Sequence, residues 1–149
     1  MNIDFNADQN TVVYDVCNAV MEKAAYGDNL SALNEHERVL YVTQVLEMEV
    51  NNGGFSQFFW NSGGDVANEL VLTFEVIGAT KTAAICQQAI DAFGCEIPAD
   101  RDEREELLDT MGEDFDAALS ACDDAFYEYE EDLEALNYAY IMAHAESFR

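Results

Sequence analysis

The sequence predicts an all-α fold: a compact bundle of about seven or eight helices with a long acidic C-terminal helical part, in a single domain over residues 1–149. Three observations lead there. Apolar residues recur at helical spacing along nearly the whole chain. No sustained period-two alternation and no two-residue hairpin turn appears. Half of the residues are apolar and 11% are aromatic, which excludes a disordered chain, and 149 residues suffice for one core.

The elements follow in order. A helix is expected over about Thr11–Ala25, with Val13, Val16, Cys17, Val20 and Ala24 on one face. Gly27-Asp28-Asn29 stops it. Asn34, with Glu37 three residues on, forms a capping box for a second helix to about Val50, with Val39, Val42, Leu46 and Val50 facing inward. Asn51-Asn52-Gly53-Gly54 ends that helix, because Asn and Gly tolerate a left-handed cap. A short aromatic helix follows, Phe55–Trp60, in which Phe55, Phe58, Phe59 and Trp60 are expected to pack. Asp65 is expected to cap a helix to about Ile77, and Thr80 another to about Phe93. Gly94 and Pro98, the sole proline, separate a half of about residues 1–95 from an acidic half of about 96–149.

The acidic half opens with a helix over about Asp102–Met111. Beyond Gly112, apolar residues recur at Phe115, Leu119, Cys122, Phe126, Tyr129, Leu133, Leu136, Tyr140 and Ala143. The steps alternate between four and three, as in a heptad seam. Either one helix of about 35 residues, roughly 50 Å long, or two helices meeting near Asp132 would satisfy the pattern.

Charge narrows the function. Six Lys and Arg stand against 31 Asp and Glu, a formal charge of −25. Such a surface repels nucleic acid and anionic membranes. It favours a basic protein. The acids are concentrated: Glu96 to Glu134 holds 17 of them and two Arg in 39 residues. No Lys or Arg occurs between Glu105 and Phe148.

With the seam turned inward, the candidate partner-binding carboxylates are Glu103, Glu105, Glu106, Asp109, Glu113, Asp116, Asp123, Asp124, Glu128, Glu130, Glu131, Asp132 and Glu134. Tyr127 and Tyr129 punctuate the patch, with the Tyr129 ring assigned to the seam. Like charges three or four apart on a helix each destabilise by roughly 0.2–0.5 kcal/mol. A cationic partner would relieve them. At about 1.5 Å per residue the segment would span roughly 58 Å, one carboxylate per roughly 3.4 Å. A DNA strand carries a phosphate per about 3.4 Å.

Other chemistry finds little support. Cys17, Cys86, Cys95 and Cys122 form no C-x-x-C pair, and only two histidines exist, so no metal site is expected and the thiols are read as core residues. His36, beside Glu35 and Glu37, is read as a surface residue, and His144 as suited to a helix C-terminus. Gly54-Phe55-Ser56-Gln57-Phe58 lacks the closing glycine and the preceding strand of a nucleophile elbow. No catalytic residue, cofactor or enzymatic activity is expected. The first ten residues carry no Lys or Arg and no run reaches 18 apolar residues, so a cytoplasmic protein is expected.

The segment Glu49-Val50-Asn51-Asn52-Gly53-Gly54-Phe55-Ser56-Gln57-Phe58-Phe59-Trp60-Asn61-Ser62-Gly63-Gly64 resembles the signature of the bacterial DNA-mimic protein family, once a domain of unknown function. The likeness extends over about residues 35–95 and includes Ile77-Gly78-Ala79. It implies an all-helical, acidic, dimeric protein that occupies the DNA-binding surface of a transcription regulator. Within the signature, Asn51, Asn52, Gly53, Gly54, Phe55, Gln57 and Phe58 are expected to be chiefly structural. The favoured function is a DNA mimic competing for a basic DNA-binding protein, as a homodimer. The alternative is a helical adaptor that binds through an apolar groove, with its acids serving solubility. Replacing Asp124, Glu128, Glu131 and Asp132 by their amides is expected to preserve or raise stability while weakening partner binding.

Overall fold

The computed structural model describes residues 1–149 and contains seven α-helices and no strand. They are α1 (Gln9–Lys23), α2 (Glu35–Trp60), α3 (Leu70–Val76), α4 (Thr80–Asp91), α5 (Arg101–Asp109), α6 (Glu113–Tyr127) and α7 (Leu133–Ala143), joined by short 3₁₀ turns. Helix α2 runs through the bundle. Helices α1, α3, α5 and α6 pack on it, α4 packs on α3 and α6, and α7 packs on α1. No helix is long and apolar enough to cross a membrane.

Local signals explain the first two helices. Asp8 caps α1 by accepting from the Thr11 N–H at 3.1 Å, so the helix starts two residues earlier than its apolar pattern indicated. The buried face is Val12, Val16, Cys17, Val20 and Met21, and Val13 lies at its edge. The Asn34–Glu37 capping box is complete. Glu37 is buried there because it also accepts from Lys23 Nζ at 2.7 and 2.8 Å.

The Asn51–Gly54 segment bends α2 rather than ending it. Gly54 has φ of 78°, a conformation that suits only glycine. Helix resumes at once, and it buries Phe55, Phe58 and Phe59 completely. Phe58, Phe59, Phe93 and Phe115 form a chain of edge-to-face rings with centroids 4.8–5.4 Å apart. Trp60 does not join them; its ring is exposed.

Two expected helix caps are corrected, and one open alternative is decided. Asp65 caps nothing: residues Ser62–Glu69 wind as 3₁₀ turns and α3 starts only at Leu70. Its carboxylate is instead drawn to Arg101 at 3.1 Å and Arg104 at 2.7 Å. Thr80 does not cap α4. Glu131 does, accepting from Thr82 N at 2.7 Å, Thr82 Oγ1 at 2.8 Å and Lys81 N at 3.2 Å. The heptad seam divides into α6 and α7, because Tyr129 takes a left-handed φ of 45° and Asp132 caps a new helix at Ala135. Phe115, Leu119, Cys122, Phe126 and Leu133 are buried as the seam requires, whereas Tyr129 and Ala143 are exposed.

Two further side-chain readings change. Cys95 is exposed, while Cys17, Cys86 and Cys122 are buried free thiols. Burial pushes the Cys17 thiol up to about 12. His36 is half-buried: its ring stacks on His144 at 4.1 Å and its Nδ1 lies 2.7 Å from the Tyr140 hydroxyl. That stack fastens the chain end, with Phe148 fully buried and the Asn34 amide donating to the Ser147 carbonyl at 2.9 Å.

Arg104 is fully buried, and no sequence pattern marked it. Its guanidinium donates to the carbonyls of Phe59, Asn61, Pro98 and Ala99 and to Asp65, over 2.6–3.1 Å. Gly64 makes room, because a Cβ there would lie 2.6 Å from both Arg104 Nε and the Phe59 carbonyl. Arg104→Met removes the guanidinium from those carbonyls and leaves Asp65 to Arg101 alone. Urea denaturation should show a loss of about 3–5 kcal/mol. An unchanged midpoint would remove Arg104 from its central place.

Candidate acidic interface

Helix α5 begins at the cap Asp100, which accepts from Glu103 N. Because Arg104 points into the core, Asp102, Glu103, Glu106 and Asp109 are exposed, and Glu105 is half-buried. Three residues, Thr110–Gly112, lead into α6. Phe115, Leu119, Cys122 and Phe126 anchor α6 to α2 and α4. The opposite face presents Glu113, Asp116, Asp124 and Glu128, over roughly 22 Å at about 1.5 Å per residue. The middle of that face holds the small exposed residues Ala117, Ser120 and Ala121, with exposed Asp114 and Tyr127 near its two ends.

Apart from Glu105, whose charge reaches Arg101 on the same helix, these groups have no internal counter-charge. All six Lys and Arg are engaged elsewhere: Lys23 with Glu37, Arg38 with Glu69, Lys81 with Glu130, Arg101 and Arg104 with Asp65, Arg149 with Glu146. The helix dipole separates the four on α6. Glu113 and Asp116 lie in the first turn, where an acid is favourable. Asp124 and the C-cap Glu128 lie at the opposite end, which has no basic residue in its last turn. There the dipole and the neighbouring carboxylates both oppose them.

The other candidates have structural duties. Asp123 is half-buried and accepts from the Phe55 N–H at 2.7 Å, directly behind Gly54, where a Cβ would lie 2.5 Å from its carboxylate. Glu131 caps α4 and Asp132 caps α7. Glu130 faces Lys81 at 3.5 Å, and Glu134 accepts from Gln9 at 3.0 Å. Glu131 therefore does not belong among removable surface acids, and the expectation that its amide would be harmless is withdrawn. The even spacing of one carboxylate per DNA phosphate is lost as well, because the segment breaks at residues 128–132 and part of its charge turns inward.

The glycine-rich signature is held together by its own polar groups. Gln57 donates to Glu49 at 2.6 Å, Asn52 to Gln57 at 3.3 Å, and Asn61 to Glu49 at 3.2 Å. Asn51 donates to the Tyr129 hydroxyl, and the Tyr127 hydroxyl donates to the Val50 carbonyl, each at 2.7 Å. Both tyrosine rings are exposed, so Tyr129 lies outside the seam and these residues tie the acidic helices to the bend of α2.

Burial raises the carboxyl of Asp123, and the neighbouring charge of Asp124 adds to this; the Phe55 N–H acts the other way. Burial likewise raises that of Glu47 on α2, assisted by Glu134 and opposed by the Tyr129 hydroxyl. The folded chain thus holds protons that the unfolded chain has released, and stability falls as pH rises through that interval. The melting temperature should climb on acidification toward the ordinary carboxylate range, about pH 4. Asp123→Asn should flatten that slope; an identical slope in the variant would refute the assignment.

The two classes of acid also differ in stability. Asp124→Asn with Glu128→Gln should raise stability by about 0.3–1 kcal/mol per site at low ionic strength. Glu131→Ala should lower it by about 1–2 kcal/mol through loss of the cap. Calorimetry showing equal effects would merge the two classes.

A family model described as DMP19-like protein matches residues 31–144. That span begins just before α2 and takes in every later α-helix and the glycine-rich segment. No curated protein and no solved structure matches the chain.

Proposed function

The chain belongs to the DMP19-like protein family, and from that membership we propose that it is a DNA mimic. In this reading it binds the DNA-binding surface of a basic protein, such as a transcription regulator or nucleoid protein, and competes with DNA. It works stoichiometrically, in the cytoplasm and as a homodimer, without cofactor or catalysis.

One observation carries the proposal: Asp124 and Glu128 are exposed, have no basic partner and stand at the end of α6 where the dipole disfavours them. Their local cost calls for a compensation, and a basic partner supplies one. Carboxylates on α5 and α6 stand in for phosphates against lysines and arginines. A single-signed field steers the partner in quickly, and added salt weakens the complex by screening it. Tight packing of α5 and α6 on the core fixes their backbones, so little backbone ordering is needed on association.

The test is capture from a lysate at low ionic strength, with the protein immobilised and the bound fraction released by a salt gradient. A specific DNA-binding protein should elute late and be displaced by duplex DNA. The combined variant Glu113→Gln, Asp116→Asn, Asp124→Asn and Glu128→Gln should keep its fold and lose most of that retention. Full retention by the variant would refute the acidic interface.

A second reading has an observation of its own. A cavity of about 270 Å³ between α2 and α3 is bordered by Val39, Leu72 and Val76, and the Leu72 side chain is 67% exposed. A captured protein that resists salt and ignores DNA would favour an adaptor using this groove.

A further inference from the structure

Between α1 and α2 the chain crosses a strained strap. Ala25, Tyr26 and Gly27 take φ of 47°, 53° and 110° in succession, so two non-glycine residues stand in the left-handed region. Side chains enter that region at a cost, and normally one at a time. The strap is pinned at both ends: Ala24 is fully buried, and Lys23 grips Glu37 across the gap at 2.7 and 2.8 Å. Between these points its bonds are its own. The Gly27 and Asn29 N–H groups donate to the Ala24 carbonyl at 3.0 and 2.9 Å, and the Asp28 N–H to that of Ala25 at 3.2 Å. No residue from Ala25 to Asn29 is buried, and Tyr26 is 65% exposed.

Beneath the strap lies the one buried side-chain polar atom without a hydrogen-bond partner, the Tyr41 hydroxyl. Tyr41 is 1% exposed. A Cβ on Gly27 would lie 2.9 Å from the Tyr41 oxygen and 3.4 Å from Ser62 Oγ, so the backbone of the strap sits directly on both hydroxyls. A buried hydroxyl without a partner has given up water and replaced it with nothing. Strain above and an unpaired group below therefore act in the same direction, and lifting the strap relieves both. Against them stand three local hydrogen bonds, which water can replace, and the charge of Asp28, which reaches Arg101 on α5. Little apolar burial is lost on lifting, which is the signature of a segment that opens by itself.

We propose that Ala25–Asn29 is a lid that opens between Ala24 and the 3₁₀ turn Leu30–Ala32 and admits water to the hydroxyls of Tyr41 and Ser62. The helices stay in place as it opens, because the Lys23–Glu37 pair holds the end of α1 to the start of α2. Opening frees two left-handed residues and gives the Tyr41 hydroxyl the partner it lacks when covered. A buried phenol becomes an accessible hydrogen-bonding group, beside the Asp65–Arg101 pair whose charges reach it. The lid is independent of the DNA-mimic reading, since it uses none of the carboxylates of that interface.

The test is native-state hydrogen exchange, read by nuclear magnetic resonance at the backbone amides of Gly27, Asp28 and Asn29. These should exchange through an opening that low urea does not promote, while the interior amides of α1 and α2 follow global unfolding. Tyr41→Phe keeps the ring and deletes the hydroxyl that opening hydrates; it should slow exchange at the strap at least about fivefold. Tyr26→Gly should slow it too, by removing a left-handed side chain. Gly27→Ala should speed it, because its Cβ meets the Tyr41 oxygen and a φ of 110° strains alanine. Unchanged or faster strap exchange in Tyr41→Phe would mean that the hydroxyl has a partner in the closed form or stays covered in the open one; either overturns the lid. Strap amides that exchange only together with those of α1 and α2 would overturn it as well.

Discussion

The bundle depends on one buried cation. Arg104 gathers the carbonyls that end α2, those of the link before α5, and the carboxylate of Asp65 into one hydrogen-bonded knot. Burying a guanidinium is tolerable only when its charge is paired and its donors are used, and both conditions hold here. The consequence is directional. With Arg104 inward, its helical neighbours Asp102, Glu106 and Asp109 can only face outward. The acidic face of α5 is thus the reverse side of a structural requirement.

Acidity in this chain serves two purposes that composition alone merges. Asp8, Asp100, Glu131 and Asp132 satisfy helix N-termini, Asp123 holds the bend of α2, and Glu37, Asp65 and Glu69 pair with the available bases. What remains on α5 and α6 is a smaller set without internal partners. It includes Asp124 and Glu128, which weaken their own helix. A function assigned to the acids is strongest where structure gives them nothing to do.

Legibility in the sequence tracks the separation of the partners. The Asn34–Glu37 capping box spans three residues and was readable, as were the buried Phe55 and Phe58; the Gly53-Gly54 segment reads as a helix end, whereas α2 bends there and continues. Asp65 was misread because its true partners, Arg101 and Arg104, lie 36 and 39 residues away. The cap of α4 comes from Glu131, 49 residues from Thr82. A heptad pattern shows which residues face the core but leaves one long helix and two helices meeting near Asp132 both open; the left-handed Tyr129 and the cap at Asp132 decide for two. Of the candidate interface, the outward set on α5 and α6 was legible from periodicity. The inward duties of Asp123 and Glu131 were not.

The complete internal engagement of the six bases has a wider consequence. A protein that imitates a polyanion while carrying loose cations would be a target for its own imitation, and copies would aggregate head to flank. It would also adhere to the nucleic acid it resembles. Each base has a carboxylate of its own chain within 3.5 Å, and those that reach the surface, such as Lys81 and Arg149, are far outnumbered by acids there. Copies repel one another through their acidic faces, and chromosomal DNA repels them too. Under the proposed function, that surface would leave the acidic faces open to a cationic protein.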